Sequence, residues 1–293
     1  MYNAHCVHQA GASLGESPLW NPKENQLYWV DINNRRIHRF DPDTKHTVSW
    51  SCHTEIGCIG LADHGRLIAG LRDGFYYFTP STGVLDHIVD PEPDKPLNRL
   101  NDGKVDRAGR LWCGSMQDPN PDDPSGALYR LDKSGKYARL LEGIRIPNAI
   151  AWSPDNKIMY FTDTRESAIW AFDFNFEVGE ISNKRIFVDL SGQRGRPDGA
   201  TVDAEGYLWN AEYGGSRVVR YSPDGKFDRQ LDMPVTNVTC CALGGPGLTT
   251  LFITTAAQKL DDSELADQPQ AGGLFACDVG IKGLPEPLFV DRD

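Results

Sequence analysis

The sequence lacks the long apolar segments that mark membrane and secreted proteins. No stretch of its 293 residues approaches the roughly 20 consecutive apolar residues of a membrane span. The first fifteen residues, MYNAHCVHQAGASLG, have no basic segment followed by an apolar run, which is the pattern of a secretory signal. We therefore expect neither insertion into a membrane nor secretion.

Cysteines are few, odd in number and poorly spaced for a disulfide framework. None of them forms a C-x-x-C pair, and two of them are adjacent; they are Cys6, Cys52, Cys58, Cys113, Cys240, Cys241 and Cys277. This pattern is typical of reduced thiols and predicts a cytoplasmic protein without a zinc ribbon.

Basic residues are outnumbered by acidic ones. The chain has 30 Lys and Arg residues and 41 Asp and Glu residues, which gives a net charge of −11. Binding to nucleic acid needs a basic face, so we expect no nucleic acid partner and no membrane partner. An acidic surface is compatible with a bound cation, although such charge more often serves solubility.

Several catalytic motifs are missing as well. There is no H-E-x-x-H, no P-loop and no G-x-G-x-x-G, and no histidine occurs after His87. A zinc protease, an ATP site and a dinucleotide site are therefore not expected. GASLG at residues 11–15 matches G-x-S-x-G, but the following ESPLWNP cannot form the helix that a nucleophile elbow requires.

What the sequence does contain is a repeat of short apolar runs joined by turns rich in Gly, Asn and Asp. The residues that open the second run of each repeat are Leu27, Leu67, Leu111, Met159, Leu208 and Leu251. They are 40, 44, 48, 49 and 43 residues apart. Further strand-like runs follow in each repeat, which gives about four strands per unit, and DDSELADQ at 261–268 is the one plausible helix.

Four short strands that recur every 40 to 50 residues predict an all-β, six-bladed β-propeller with four-stranded antiparallel blades. We expect residues 1–293 to form a single propeller domain. A spare strand near AHCVHQA, at 4–10, is expected to complete the last blade beside GGLFACDV at 272–279. A β-sandwich or two smaller β domains is the alternative.

Oxygen-bearing side chains recur at one place in four of the six repeats. Glu16 and Asn148 lie eleven residues before their anchors, and Asn101 and Asp198 lie ten before theirs. In a propeller this place faces the central channel, so the four side chains should converge. Two carboxylates and two amides suit a hard divalent cation. The alternative is that the Asn and Asp residues are simply turn formers.

The segment NRLNDGK, residues 98–104, places Arg99 and Asn101 two apart ahead of a predicted inner strand. Both side chains could therefore point into the channel. From spacing alone, Arg99 is equally compatible with contact to a ligand, through its fork of donors, and with an ion pair.

Several of these segments together resemble the senescence marker protein, regucalcin and gluconolactonase family. They are GESPLW, NRLNDGKVDRAGRLWCGSM, SGALYRLD, IPNAIAWSPDNKIMYFTDT, PDGATVDAEGYLWNA and AGGLFA, in the family's order along the chain. The resemblance implies a six-bladed propeller that hydrolyses sugar lactones with one divalent metal ion.

By the same resemblance, the metal ligands would be Glu16, Asn148 and Asp198, and Arg99 and Asn101 would contact the substrate. The family often carries a Glu shortly before GALY that helps to hold the substrate. Here that stretch is DPNPDDPSGALY, in which Asp122 is the nearest match by counting.

These inferences lead to the hypothesis of a metal-dependent sugar lactonase. The expected metal is Ca²⁺, with Zn²⁺, Mg²⁺, Mn²⁺ or Fe²⁺ also compatible; it would polarise the lactone carbonyl while Asp198 activates water. Three alternatives stay open: an esterase or phosphotriesterase on the same site, a non-catalytic calcium-binding regulator, and a propeller that binds another protein.

Overall fold

The protein forms six antiparallel sheets of four strands each, arranged as the blades of a ring. The structure is a computed structural model that describes residues 3–290. The innermost strand of each blade contacts the innermost strands of both neighbouring blades, so the ring is closed. The predicted six-bladed β-propeller is therefore confirmed.

The strands follow one another from the inside of each blade to the outside. The first three blades contain β2 Gly15–Asn21, β3 Gln26–Asp31, β4 Arg36–Phe40, β5 Thr47–Ser51; β6 Ile56–Leu61, β7 Leu67–Leu71, β8 Gly74–Thr79, β9 Val84–Val89; and β10 Asn98–Val105, β11 Leu111–Gln117, β12 Gly126–Leu131, β13 Tyr137–Ile144. The last three contain β14 Pro147–Trp152, β15 Ile158–Asp163, β16 Ala168–Asn175, β17 Glu180–Asp189; β18 Arg196–Val202, β19 Leu208–Tyr213, β20 Arg217–Tyr221, β21 Phe227–Asp232; and β22 Val238–Gly244, β23 Thr250–Thr255, β24 Leu274–Asp278, with β1 His5–His8 outermost.

The last blade is completed by the N-terminal strand, as predicted. Strand β1 pairs antiparallel with β24, with His5 opposite Ala276 and Cys6 opposite Phe275. The first and last parts of the chain are therefore held in the same sheet, which closes the ring.

The core lies between the blades, where the apolar faces of neighbouring sheets pack. Trp20 and Trp29 of the first blade pack with Phe252 and Leu274 of the sixth. All six repeat anchors are buried, in the first or second position of the second strand of their blade. The hydrophobic repeat seen in the sequence is therefore the inter-blade core.

One turn motif explains why the repeat is most regular in the third and fifth blades. Asp106 accepts hydrogen bonds from two N–H groups of its turn and, at 2.8 Å, from the indole N–H of Trp112. Asp203 makes the equivalent bonds, with Trp209 also at 2.8 Å. The glycine three residues after each Asp has a φ of 83° or 86°, which a turn of this kind requires.

Helices are few, as the sequence indicated. The predicted helix at 261–268 is α1, Asp262–Asp267, which is capped by a reciprocal pair of bonds between Asp261 and Glu264. The other helical segments among the described residues are single 3₁₀ turns at Asp63–Gly65, Thr164–Glu166 and Pro246–Leu248. None of the helices among residues 3–290 is long and apolar enough to cross a membrane.

The segment after β24 crosses one end of the ring. It bonds to the fifth blade at Asp203, to the second blade through Phe289 and Leu61, and approaches Lys104 of the third through Glu286, at 3.8 Å. The cavities lined by this segment have volumes of only about 20 and 40 Å³. A ligand of sugar size must therefore bind at the opposite end of the channel.

Candidate active site

All six innermost strands break their pairing with the second strand at the same level of the ring. The register shifts fall between Glu16 and Leu19, Ile56 and Cys58, Leu100 and Gly103, Asn148 and Ala151, Pro197 and Ala200, and Val238 and Cys240. Such bulges re-aim side chains and are frequent next to active sites. A ring of bulges at the start of the inner strands therefore surrounds one end of the channel.

The bulges explain why the sequence count gave two different intervals. Glu16 and Asn148 are the last paired residues before their bulges, whereas Asn101 and Asp198 are the first residues inside theirs. The residues after Glu16 and Asn148 have left-handed backbones, with φ of 51° and 55°. Non-glycine residues adopt this conformation at a cost, and it often marks a functional site.

One cavity of about 740 Å³ opens at this end of the ring. Five of the six residues predicted for the site line it: Glu16, Arg99, Asn101, Asn148 and Asp198. A volume of this size is typical of a small-molecule site. All seven histidines lie within the described residues and none lines the cavity, in agreement with the expectation of a site without histidine.

Glu16 and Asp198 are buried carboxylates without a basic partner. Their residues are 7% and 6% exposed, and no Lys, Arg or His of residues 3–290 forms an ion pair with either. Burial, and then the charge of Asp102, raise the pKa of Glu16 to about 8. Burial, followed by the charges of Glu16 and Asp102, raises the pKa of Asp198 well above its usual range.

This charge arrangement fits a bound cation. Buried charges are costly unless they are paired or coordinate a metal. Within residues 3–290 no three His, Cys, Asp or Glu side chains come together as a metal site, so the candidate set depends on an amide oxygen as its third ligand. Two carboxylates and an amide carbonyl are the oxygen ligands that Ca²⁺ and similar hard cations prefer.

Asn148 is oriented by a threonine that the sequence analysis missed. The amide nitrogen of Asn148 donates to Thr164 Oγ1 at 2.9 Å, and the Thr164 hydroxyl donates to the Pro197 carbonyl at 2.8 Å. The amide oxygen of Asn148 is left on the opposite side, where it accepts a bond of 3.2 Å from Asn101. Thr164 thus turns the carbonyl end of Asn148 away from the fifth blade.

Arg99 is held by a carboxylate that was also missed. Its Nε donates to Asp118 Oδ1 at 2.7 Å and its Nη1 to Asn101 Oδ1 at 2.6 Å. Arg72 donates to the other oxygen of Asp118. Burial alone would raise the pKa of Asp118, but the two arginines outweigh it and the pKa is lowered. Arg99 therefore both forms an ion pair and lines the cavity.

Asp122 is the one predicted residue that does not line the cavity. Its side chain is 70% exposed, and Oδ1 lies 2.8 Å from Nε of Arg165 at the rim. Asp118, which lies four residues earlier in the same loop, lines the cavity instead. Counting back from GALY therefore led to a residue four positions from the carboxylate that lines the cavity.

Comparison with known proteins identifies the family. Residues 14–257 match the SMP-30/gluconolactonase/LRE-like region. The chain belongs to this family. The family resemblance that the sequence motifs indicated is therefore confirmed.

Relatives match over nearly the whole chain. A 6-deoxy-6-sulfogluconolactonase of Pseudomonas putida is 34% identical over 285 residues, which cover 97% of each chain. Pentonolactonase XacC of Haloferax volcanii is 36% identical over 294 residues and 96% of each chain. The crystal structure of a calcium-binding protein, regucalcin, from Agrobacterium tumefaciens has a TM-score of 0.95 at 30% identity, covering 99% of this chain and 98% of that one.

The first prediction concerns pH. A cation needs ionised carboxylates, and the pKa of Glu16 is about 8 in the cation-free protein. We expect the affinity for Ca²⁺ to rise about tenfold or more between pH 6 and pH 8, with release of protons. Calorimetry in buffers of different ionisation enthalpy measures both quantities.

Protein stability provides the control. Folding raises the pKa of Glu16 from its usual 4.5 to about 8 in the cation-free protein. The contribution of this group to the free energy of unfolding is therefore complete below about pH 4.5, and it is lost as the pH rises towards 8. Glu16→Gln should remove part of this slope. An affinity that does not change between pH 6 and pH 8 would contradict the assignment of these carboxylates as ligands.

The second prediction concerns the orientation of Asn148. Thr164→Val removes its hydrogen-bond partner and should weaken Ca²⁺ binding about 10- to 100-fold. Thr162→Val is the matched control, because Thr162 is buried in the same blade and also donates to a backbone carbonyl, that of Ala168, without bonding the Asn148 side chain. Equal losses in the two variants would show that Thr164 has only a structural role.

Proposed function

We propose that this protein hydrolyses a sugar lactone to the corresponding aldonic acid with the help of one divalent cation held by Glu16, Asn148 and Asp198. The observation that carries the proposal is the pair of buried carboxylates without a basic partner, beside an oriented amide, in a cavity large enough for a sugar. The family, and the lactonase names of relatives that match the whole chain, support the substrate class.

The bound cation would supply Lewis acidity to the lactone carbonyl, which is the chemistry that such ions contribute in hydrolases. Ca²⁺ is the proposed ion, because every candidate ligand is oxygen, and Mg²⁺, Mn²⁺, Zn²⁺ and Fe²⁺ are tested beside it. The remaining steps belong to the side chains of the cavity.

Asp198 is the proposed general base. One of its carboxylate oxygens accepts the proton of a water molecule as that water attacks the carbonyl carbon. The ester bond to the ring oxygen then breaks, and the same proton passes from Asp198 to the departing oxygen, which becomes a hydroxyl. A nearby cation would lower the pKa of Asp198 from its raised value and keep the carboxylate ionised.

Arg99 and Asn101 are proposed to orient the lactone. The guanidinium of Arg99 is fixed through Nε and Nη1, and its Nη2 makes no hydrogen bond to the described residues. A donor fixed in this way can bind a substrate oxygen with little loss of side-chain entropy. Asp118 holds Arg99 inside the cavity, whereas Asp122, proposed from the sequence as a substrate contact, pairs with Arg165 at the rim.

The third prediction tests the reaction. A pH-indicator assay against several aldonolactones should show turnover that chelation abolishes and one added divalent ion restores. Asp198→Asn should lower kcat/KM by about 100-fold or more, because it removes the base and a ligand. Asp155→Asn is the control, since Asp155 is an exposed carboxylate in the turn at the far end of β14.

The other outcomes separate the alternatives. Full activity of Asp198→Asn, or of the chelated protein, would contradict the proposal. Tight Ca²⁺ binding without turnover of any lactone would indicate a calcium-binding regulator instead. Faster hydrolysis of phosphotriesters than of lactones would indicate an esterase of a different class.

A further inference from the structure

The cavity carries a charge opposite to that of the protein as a whole. The net charge of the chain is −11, yet four cationic side chains line the cavity against three carboxylates. The cationic residues are Arg99, Arg165, Arg196 and Lys259, and the carboxylates are Glu16, Asp118 and Asp198. A cleft lined by one sign of charge concentrates ligands of the other sign.

The three carboxylates that line the cavity do not form ion pairs with Arg165, Arg196 or Lys259. Asp118 is engaged with Arg99 and Arg72, at 2.7 and 2.5 Å. Glu16 and Asp198 are the proposed ligands of the cation, and a divalent ion would make the cavity more positive still. The charges of Arg196 and Lys259 are therefore in excess, whereas Arg165 forms an ion pair with the exposed Asp122 at the rim.

Arg165 and Arg196 belong to segments that meet at the boundary between the fourth and fifth blades. The Thr164 hydroxyl donates to the Pro197 carbonyl at 2.8 Å, so the turn Thr164–Glu166 contacts the start of β18, and both arginines line the cavity there. Arg196 precedes Asp198 by two residues on β18, a Cα separation of about 6.6 Å along a strand. The backbone of Arg196 is thus about one sugar length from that of Asp198.

Arg196 is not satisfied by the protein, and Arg165 has a single charged partner at the rim. Nε of Arg165 forms an ion pair of 2.8 Å with Asp122, whose side chain is 70% exposed and competes with water. Within residues 3–290, the side chain of Arg196 forms no ion pair or hydrogen bond, and neither does that of Lys259. Guanidinium groups that line one cavity and have donors left over are suited to an anionic group with several oxygens.

We propose that the substrate is a sugar lactone with an anionic substituent at the end remote from the lactone carbonyl, and that Arg165 and Arg196 bind this substituent. A phosphate, a sulfonate and a carboxylate share the required chemistry. The inference rests on the lactonase function proposed above and adds to it the charge of the substrate.

Kinetics with matched substrates test the inference. D-Glucono-1,5-lactone is neutral, whereas its 6-phospho and 6-deoxy-6-sulfo derivatives and D-glucaro-1,4-lactone are anionic. The protein with its cation should hydrolyse at least one anionic lactone with a kcat/KM about tenfold or more above that of the neutral compound, since hydrogen bonds between charged groups are strong. The derivative with the highest value identifies the substituent.

Variants of Arg165 and Arg196 test whether these residues cause the preference for anionic lactones. Arg165→Gln and Arg196→Gln should each lower the ratio of anionic to neutral kcat/KM about tenfold, mainly through KM. Arg196→Lys should keep part of the preference. Lys157→Gln removes one positive charge from an exposed turn at the far end of β14, where the side chain is 80% exposed, and should leave the ratio unchanged.

Binding of products gives a readout that does not depend on turnover. In calorimetry with the chelated protein, 6-phosphogluconate should bind about tenfold or more tightly than gluconate, and Arg165→Gln or Arg196→Gln should remove the difference. Thermal unfolding of each variant establishes that it is folded.

Failure of the inference and failure of the proposed function give different results. If the neutral lactone is hydrolysed as well as every anionic one, or if the arginine variants leave the ratio unchanged, the inference is wrong and the lactonase proposal stands. If no lactone is hydrolysed with any divalent ion, the proposed function is wrong, and the inference about its substrate falls with it.

Discussion

Two buried carboxylates that face one cavity without a basic partner are the constraint on which the rest of the site depends. Glu16 and Asp198 come from different blades. Burial raises the pKa of both, and like charges raise it further: that of Asp102 for Glu16, and those of Glu16 and Asp102 for Asp198. A fold that keeps them together bears an electrostatic cost, because two like charges in a cavity oppose each other. A divalent cation would relieve that cost, and in the proposed function the same cation would supply Lewis acidity for lactone hydrolysis.

The propeller makes this arrangement possible because its stability comes from elsewhere. The apolar faces between blades and the pairing of β1 with β24 hold the ring closed, and neither depends on the residues of the channel. The bulges then turn individual side chains towards the axis, and residues with left-handed backbones directly follow Glu16 and Asn148.

Much of this could be predicted from the sequence, because the blade repeat is a local pattern. The apolar anchors gave the number of blades, and counting back from them gave Glu16, Asn101, Asn148 and Asp198, all of which line the cavity. Side-chain contacts outside the repeated positions could not be predicted in this way. Thr164 bonds to Asn148 in the fourth blade and to Pro197 in the fifth, and Asp118 meets Arg99 from the end of the neighbouring strand of the third blade. Counting back from GALY indicated Asp122, whereas Asp118 is the carboxylate of this loop that lines the cavity, because the count does not show which loop residues turn inward.

The most direct test of the central claim is a crystal structure of the protein grown with Mn²⁺, whose anomalous scattering locates the ion without reference to the surrounding side chains. We predict one strong peak in the channel mouth, within coordination distance, roughly 2.0 to 2.6 Å, of oxygens of Glu16, Asn148 and Asp198. A peak elsewhere, or a channel mouth in which those oxygens are too far apart to share an ion, would contradict the account.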